Sequence, residues 1–312
     1  MTEDRGPVAP FGRLLTAMVT PFDAKGAVDL EAAARLARHL VDHGSDGVVV
    51  SGTAGESPTT TPGENGELLA VVKDAVGDRA SVVAGVGTNS TAHSIELAEQ
   101  AAKVGVDGLL LVTPYYNRPS QAGVLHHFRT VAAVTDIPVM LYDVPGRTGT
   151  RIELATYRAA REIDTVVAVK DATGDPAGSA RLTDLGYAVY SGDEALLLGY
   201  LAYGAVGLVS VVAHAGGREL RALIDAFLDG DHAEALRLHM GLLPAFDAVM
   251  GVPNYGAATA KAALELLGVL DNRRVRGPLV PLDDDEVAQL RAGLDAAGLL
   301  TGRVSRLGRP GR

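Results

Sequence analysis

The chain of 312 residues is 47% hydrophobic and 21% charged, a soluble globular composition that can bury a large core as one big domain or two small ones. A net charge of -10 argues against nucleic acid or an anionic membrane as the main partner. Without cysteine there are no disulfides, thiol nucleophiles or thiolate metal sites, and the charged start at Glu3, Asp4 and Arg5 carries no secretory apolar region, so a cytoplasmic protein is expected.

Residues 1–12 read as an N-terminal extension, and a first strand begins near Leu14. Asp29 caps a helix to His43, with Leu30, Ala33, Leu36, Ala37, Leu40 and Val41 on one face. His39 and His43 lie a turn apart, but Leu40-Val41-Asp42 between them lacks the zincin glutamate, so no metal site is expected. Gly44-Ser45-Asp46-Gly47 follows, and the joint recurs as Gly105-Val106-Asp107-Gly108 and Gly204-Ala205-Val206-Gly207. In each, the first glycine suits a left-handed helix end and the second opens an apolar strand.

The strand from Gly47 ends in S-G-T-A-G-E-S, where Gly52, Gly55 and the N–H groups of Thr53 and Ala54 suit a carboxylate pocket, or simply a tight turn. A strand near Ser81 leads to Gly85-Val86-Gly87, which lacks the further glycine and downstream acid of a dinucleotide fingerprint. Helices over Thr91–Val104 and Ser120–Val134 flank a strand at Gly108; the adjacent His126 and His127 face different directions. The next strand, Pro138 to Tyr142, closes with Y-D-V-P-G-R-T.

Thr165 to Asp175 is the stretch that organises the rest. Val166 to Val169 has the composition of a strand buried on both faces, and Lys170 closes it. An ammonium among apolar neighbours loses hydration, its pKa falls, and the free amine can attack a carbonyl; the plain alternative is a lysine emerging into solvent. Tyr142 ends the preceding strand, and neighbouring strands run ~4.8 Å apart, so the two side chains should share a rim where a phenol relays protons. Arg147, just past the turn, suits a substrate carboxylate or a surface ion pair.

Strands near Ala188 and Gly207 complete a set of eight. The charge-free window Ala195 to Ala213 is broken by Gly199, Gly204 and Gly207 and reads as a buried helix, a turn and a strand rather than a membrane span. Helices over Gly217–Leu228, His232–Leu243, Tyr255–Leu267 and Asp284–Leu299 follow. The pattern predicts an α/β protein: a (β/α)8 TIM barrel over 13–213, a C-terminal helical appendage over 214–300, and a disordered basic tail over 301–312, with a doubly wound open sheet as the lesser possibility.

Four segments carry a resemblance over nearly the whole chain: G-T-A-G-E-S at Gly52 to Ser57, T-P-Y-Y-N-R-P at Thr113 to Pro119, Y-D-V-P-G-R-T at Tyr142 to Thr148, and V-K-D-A-T-G at Val169 to Gly174. In this order they resemble the dihydrodipicolinate synthase/N-acetylneuraminate lyase family of pyruvate-dependent class I aldolases. The resemblance implies that Lys170 forms an imine with pyruvate, that Tyr142 shuttles protons, and that Thr53 links Tyr142 to Tyr116. The tyrosine matching Tyr116 reaches a neighbouring subunit's site in the family, which implies a homo-oligomer, a tight dimer commonly paired into a tetramer. Arg147 would hold the second substrate's carboxylate and favours the synthase branch over the sialic-acid lyases; Val209 would offer its backbone carbonyl to pyruvate, with Gly192 nearby.

The implied reaction joins pyruvate to L-aspartate 4-semialdehyde on the way to diaminopimelate and lysine, with no metal or dissociable cofactor. Ala54 departs from the pattern, in which a threonine hydroxyl binds the pyruvate carboxylate. That departure leaves open another pyruvate aldolase acting on a sugar acid or other aldehyde; a non-catalytic carboxylate-binding barrel is the remaining alternative. Where lysine-inhibited members use a histidine and a glutamate, this chain has Asn65 and His93, beside the retained Ser57, Asn89 and Tyr115, so little feedback by lysine is expected.

Overall fold

Eight parallel strands form in the computed structural model, which describes residues 8–300: β1 (Leu14–Ala17), β2 (Gly47–Val50), β3 (Ser81–Gly85), β4 (Gly108–Val112), β5 (Val139–Asp143), β6 (Val166–Asp171), β7 (Ala188–Ser191) and β8 (Gly207–Ser210). They pair in sequence order and β8 returns to β1 with Val209 opposite Leu15, so the sheet is the expected closed TIM barrel and the open-sheet alternative is excluded. The helices between them are α1 (Leu30–Asp42), α2 (Pro62–Val76), α3 (Thr91–Val104), α4 (Gln121–Ala132), the single turn α5 (Pro145–Thr148), α6 (Leu154–Ala160), α7 (Pro176–Asp184) and α8 (Leu197–Ala202). Side chains of Asp29, Thr61, Ser90, Ser120 and Asp175 accept from backbone N–H groups of the first turns of five of them, satisfying donors that a helix start leaves open.

The repeated glycine joint has a steric cause at both positions. Gly44, Gly105 and Gly204 sit at φ +106, +80 and +89, the left-handed region in which a helix end turns toward the next strand. At the strand starts a Cβ has no room: on Gly207 it would lie 2.0 Å from the Arg13 carbonyl oxygen, and on Gly108 2.4 Å from the Phe11 ring. Phe11, within residues 1–12, is buried, stands 6.4 Å from Tyr190 and donates its N–H to that phenol, so the described part of the extension plugs the amino-terminal end of the barrel.

Two apolar layers result. Leu15, Val49, Val83, Leu110, Met140 and Ala168 fill the barrel, while Val48, Val82, Leu109, Leu141 and Val169, of opposite strand parity, pack outward on the helices. The charge-free window is α8, a turn at Gly204 and β8, and among the described residues no helix is long and apolar enough to cross a membrane.

Beyond β8 come α9 (Ala213–Leu228), α10 (His232–Met250), α11 (Ala257–Leu266) and α12 (Asp284–Ala296). Helix α9 begins before the expected Gly217 because a first turn joins it across a kink at Gly216 (φ -122, ψ 35). Helix α10 passes the expected end at Leu243 and carries Pro244 inside it: Leu242, Ala245, Phe246 and Val249, on both sides of the proline, are buried in one cluster with α9, α11 and α12, and that packing outweighs the lost backbone hydrogen bond. The tail over 301–312 lies outside the described residues.

Candidate active site

Every barrel strand points its carboxyl end at one rim, and the sequence-predicted residues meet there. In the β5–β6 register Tyr142 stands directly opposite Lys170. Both are buried, at 7% and 6% exposure, and the Lys170 Nζ lies 4.4 Å from the centroid of the Tyr142 ring. Among the described residues Lys170 makes no hydrogen bond or ion pair, so little offsets the loss of water. Burial pulls its pKa down to about 8, against the through-space charge of Glu194 and with help from Arg147. Burial pushes Tyr142 the other way, up to about 12, with Arg147 pulling back, so the phenol keeps its proton at neutral pH and is a donor.

A cavity of about 260 Å³ encloses this pair and is lined also by Thr53, Ala54, Arg147, Gly192 and Val209. The 51–57 loop reaches it in a strained conformation: Ser51 and Glu56, neither a glycine, both sit at φ +56 and bracket the turn. Between them, the N–H groups of Thr53 and Ala54 point to no acceptor among the described residues, which leaves two donors for an anion beside the lysine. Ala54 is buried and contributes a methyl group where a hydroxyl would have added a third donor. Gly192 makes room for the lysine: its Cβ would lie 3.2 Å from Lys170 Cε and 2.8 Å from Ala172 Cβ.

Tyr116 is the one predicted residue outside this cavity. It is 89% exposed, at φ +73, on the wall of an adjoining mouth of about 630 Å³ that also touches Thr53, Tyr142 and Arg147. Arg147, on α5, lays its guanidinium 4.5 Å over the ring of Tyr255, a contact worth about 0.5–1 kcal/mol at an exposed site.

Three contributors escaped the sequence reading. Tyr255, expected to open a helix, precedes α11 and backs Arg147. Buried Glu194 accepts from Ser210 Oγ (2.8 Å) and from the N–H groups of Val211 (2.7 Å) and Val212 (3.0 Å), tying the β7 and β8 rims together; an acid just before a charge-free stretch was the available signal. Asp143 sits inside a quoted motif, but nothing local marks its carboxylate as wholly buried. His39 and His43 stack on each other, 3.9 Å apart, and among the described residues no group of three or more His, Asp or Glu converges as a metal site.

The model of the dihydrodipicolinate synthetase family matches residues 10–297. The chain is 56% identical over 296 residues to the 4-hydroxy-tetrahydrodipicolinate synthase of Kineococcus radiotolerans, covering 94% of this chain and 95% of that one. It is 57% identical over 293 residues to the enzyme of the same name from Acidothermus cellulolyticus, covering 93% and 94%. The crystal structure of dihydrodipicolinate synthase from Cyanidioschyzon merolae with lysine bound superposes with a TM-score of 0.89 at 42% identity, over 93% of this chain and 99% of that one.

Proposed function

The chain belongs to the dihydrodipicolinate synthetase family, and from that premise we propose that it condenses pyruvate with L-aspartate 4-semialdehyde through an imine on Lys170, giving 4-hydroxy-tetrahydrodipicolinate. The observation that carries this reading is a buried lysine with no ionic partner among the described residues, paired in register with a buried protonated phenol.

The free amine of Lys170 attacks C2 of pyruvate, and loss of water leaves the iminium. The N–H groups of Thr53 and Ala54 receive the pyruvate carboxylate, and the Val209 backbone, with Gly192 beside it, bounds the other side. Tyr142 gives a proton to the departing oxygen and recovers one as C3 is deprotonated to the enamine. The enamine carbon attacks the aldehyde, forming the carbon–carbon bond, while Arg147 holds the semialdehyde carboxylate. The substrate amine then displaces the Lys170 nitrogen at C2, closing the ring and freeing the lysine; the two substrates leave as one ring and one water.

Thr53 connects Tyr142 to Tyr116, which belongs in a neighbouring copy's site. The exposure of Tyr116 and of Thr53 in a single chain supports a homo-oligomer, a dimer of dimers, which sedimentation velocity tests. A cytoplasmic place in lysine biosynthesis accords with this chemistry. Intact mass after pyruvate and borohydride, with semialdehyde turnover alongside, tests the whole: one reduced pyruvyl adduct, absent in Lys170→Ala, is expected. A folded wild-type protein with neither adduct nor turnover would overturn it.

A further inference from the structure

One residue beyond Tyr142 and Lys170, the same two strands turn Asp143 and Asp171 to the outside of the barrel, again opposite each other in register. Two buried carboxylates side by side are costly, so each needs donors. Asp143 Oδ2 accepts from the Tyr157 hydroxyl of α6 (3.1 Å) and from the N–H of Ile152 (3.1 Å); Asp171 Oδ1 accepts from the Tyr200 hydroxyl of α8 (3.1 Å) and from the N–H of Thr173 (2.9 Å). Asp143 is fully buried, and among the described residues its Oδ1 has no partner although Asp143 borders a cavity of about 330 Å³ between β5, β6, α6 and α7.

The bond from Ile152 closes a loop. Residues 144–151 leave β5 at Asp143 and return to it at Ile152, and Arg147 rides at the top on α5, whose own bonds (Arg147 N–H to Val144 O, 2.9 Å; Gly149 N–H to Pro145 O, 2.9 Å) hold the turn but not its base. Thr148 braces the loop from inside, its hydroxyl donating to Thr150 O (2.9 Å), and Gln121 of α4 holds the far end at Arg151 O (2.7 Å) and the Glu153 N–H (3.0 Å), while Asp143 joins the β5 end to Ile152 and to Tyr157 of α6.

We propose that Asp143 is the positioning residue for Arg147: by joining Ile152 and Tyr157 it fixes the arginine's distance from Lys170, and so sets how well the second substrate's carboxylate is held. The inference rests on the function proposed above and adds to it a residue that touches neither substrate. It separates the two half-reactions. Pyruvate binds on the 52–54 loop and β8, whereas the semialdehyde depends on the Asp143 loop.

The groups facing Asp143 are Asp171 on β6, Tyr157 on α6, Arg151 on the loop, and Asp175 and Arg181 at the start and on the body of α7, with Tyr200 behind Asp171. Burial pushes the Asp143 carboxyl up to about 7; the bonds from Ile152 and Tyr157 oppose this, Asp171 adds to it, and Arg151 opposes it. A carboxyl raised from its ordinary value near 3.8 stabilises the fold fully below that value, and the contribution is lost as pH rises through about 7. An asparagine keeps the acceptor for Ile152 and Tyr157 and stays neutral, with its amide group at the cavity-side position of Oδ1.

The test begins with wild-type adduct formation and turnover, whose absence would defeat the proposed function before any variant is made. With those in hand, Asp143→Leu should raise the semialdehyde KM about tenfold or more and leave the pyruvate KM and the borohydride-trapped adduct within about twofold. Asp143→Asn should return the semialdehyde KM to within about threefold of wild type, and its melting temperature should exceed wild type by about 3 °C more at pH 8 than at pH 5. Tyr157→Phe, which removes one hydroxyl, should raise the semialdehyde KM about threefold and decides the matter if the leucine variant does not fold. Equal rises in both KM values, an unmoved semialdehyde KM in Tyr157→Phe, or failure of asparagine to rescue would overturn the proposal.

Discussion

Two lysines of this barrel are equally hidden from water and do opposite jobs. Lys261 on α11 is 1% exposed and Lys170 on β6 is 6% exposed; burial pulls both to about 8. Around Lys261 every direction is answered: the Glu56 carboxylate at 2.5 Å, the Arg274 carbonyl at 2.8 Å and the Phe22 ring face at 4.0 Å. Glu56 in turn accepts from the Arg276 N–H at 2.8 Å. Those partners hold the group in place as a strut from the C-terminal helices to the strained 51–57 loop. Among the described residues Lys170 meets the Tyr142 ring and the through-space charge of Glu194 but no hydrogen-bonding or ionic partner, so a neutral amine costs it none. Burial does not make a lysine nucleophilic; burial without a counter-charge does.

Exchanging the losses should break the comparison most visibly. Lys170→Ala is expected to lower kcat by at least ~10³ and to leave the melting temperature unchanged or raised, since it removes an unsatisfied buried cation. Lys261→Met should instead destabilise the fold by ~3–5 kcal/mol by stranding Glu56, and Glu56→Gln in the same chain should recover part of that. Thermal melts and the borohydride adduct, measured on all four proteins, decide. A Lys261→Met protein that is stable but unable to form the adduct would erase the division of labour.

The pH profile sharpens it. Below about 8 the free-amine fraction of Lys170 grows tenfold per unit, so imine formation at saturating pyruvate should climb ~50-fold from pH 6 to 8 and then level. The sign follows from a pKa below the ordinary lysine value: protons leave the folded-state lysine earlier. Stopped-flow or quench trapping between pH 6 and 9.5 measures it, and a flat profile from pH 6 upward would mean the amine is already neutral there.

A smaller effect belongs to the loop that the Lys261 strut supports. Ala54→Thr restores a hydroxyl beside two free N–H donors, and one charge-assisted hydrogen bond of ~1.5–3 kcal/mol should lower the pyruvate KM about tenfold or more. Steady-state kinetics at saturating semialdehyde tests this; an unchanged or higher KM would show that the N–H groups alone satisfy the carboxylate.

The barrel was legible because its signals are local. Buried β-branched runs and glycine joints place β1, β2, β3, β4, β7 and β8 at the expected first residues, and β5 and β6 begin one residue later than Pro138 and Thr165. The shared rim of Lys170 and Tyr142 was legible because a parallel barrel turns sequence order into neighbourhood. What stayed hidden depends on distant partners. Glu56 and Lys261 are 205 positions apart, and neither residue type suggests complete burial until the other is found. Tyr255 and Asp143 act through Arg147 and Ile152, contacts that no periodicity encodes. The continuation of α10 through Pro244 was set by packing on both sides, against a local rule that ends helices before proline.

The smallest expected effect is on feedback by lysine. A lysine ligand brings an ε-ammonium that needs an acidic acceptor, and at the two positions that the family resemblance assigns to an inhibitory lysine this chain has Asn65 and His93. The structure narrows the choice further. Asn65 is 4% exposed, and its carbonyl oxygen already accepts from Ser51 Oγ (3.0 Å) and Thr60 Oγ1 (2.7 Å), so it has little left for a ligand. His93 faces Glu96 at 3.2 Å, one turn along α3, and an imidazole offers no negative charge in either of its forms. Binding an ammonium there would trade its hydration for a neutral or cationic neighbour. At ~1 mM lysine the initial rate should therefore fall by less than about 20%, while His93→Glu should bring inhibition to lower concentrations, by up to the ~1.5–3 kcal/mol of one charge-assisted bond. Micromolar inhibition of the wild type would mean that Glu96, rather than residue 93, reaches the ammonium, and Glu96→Gln would then abolish it.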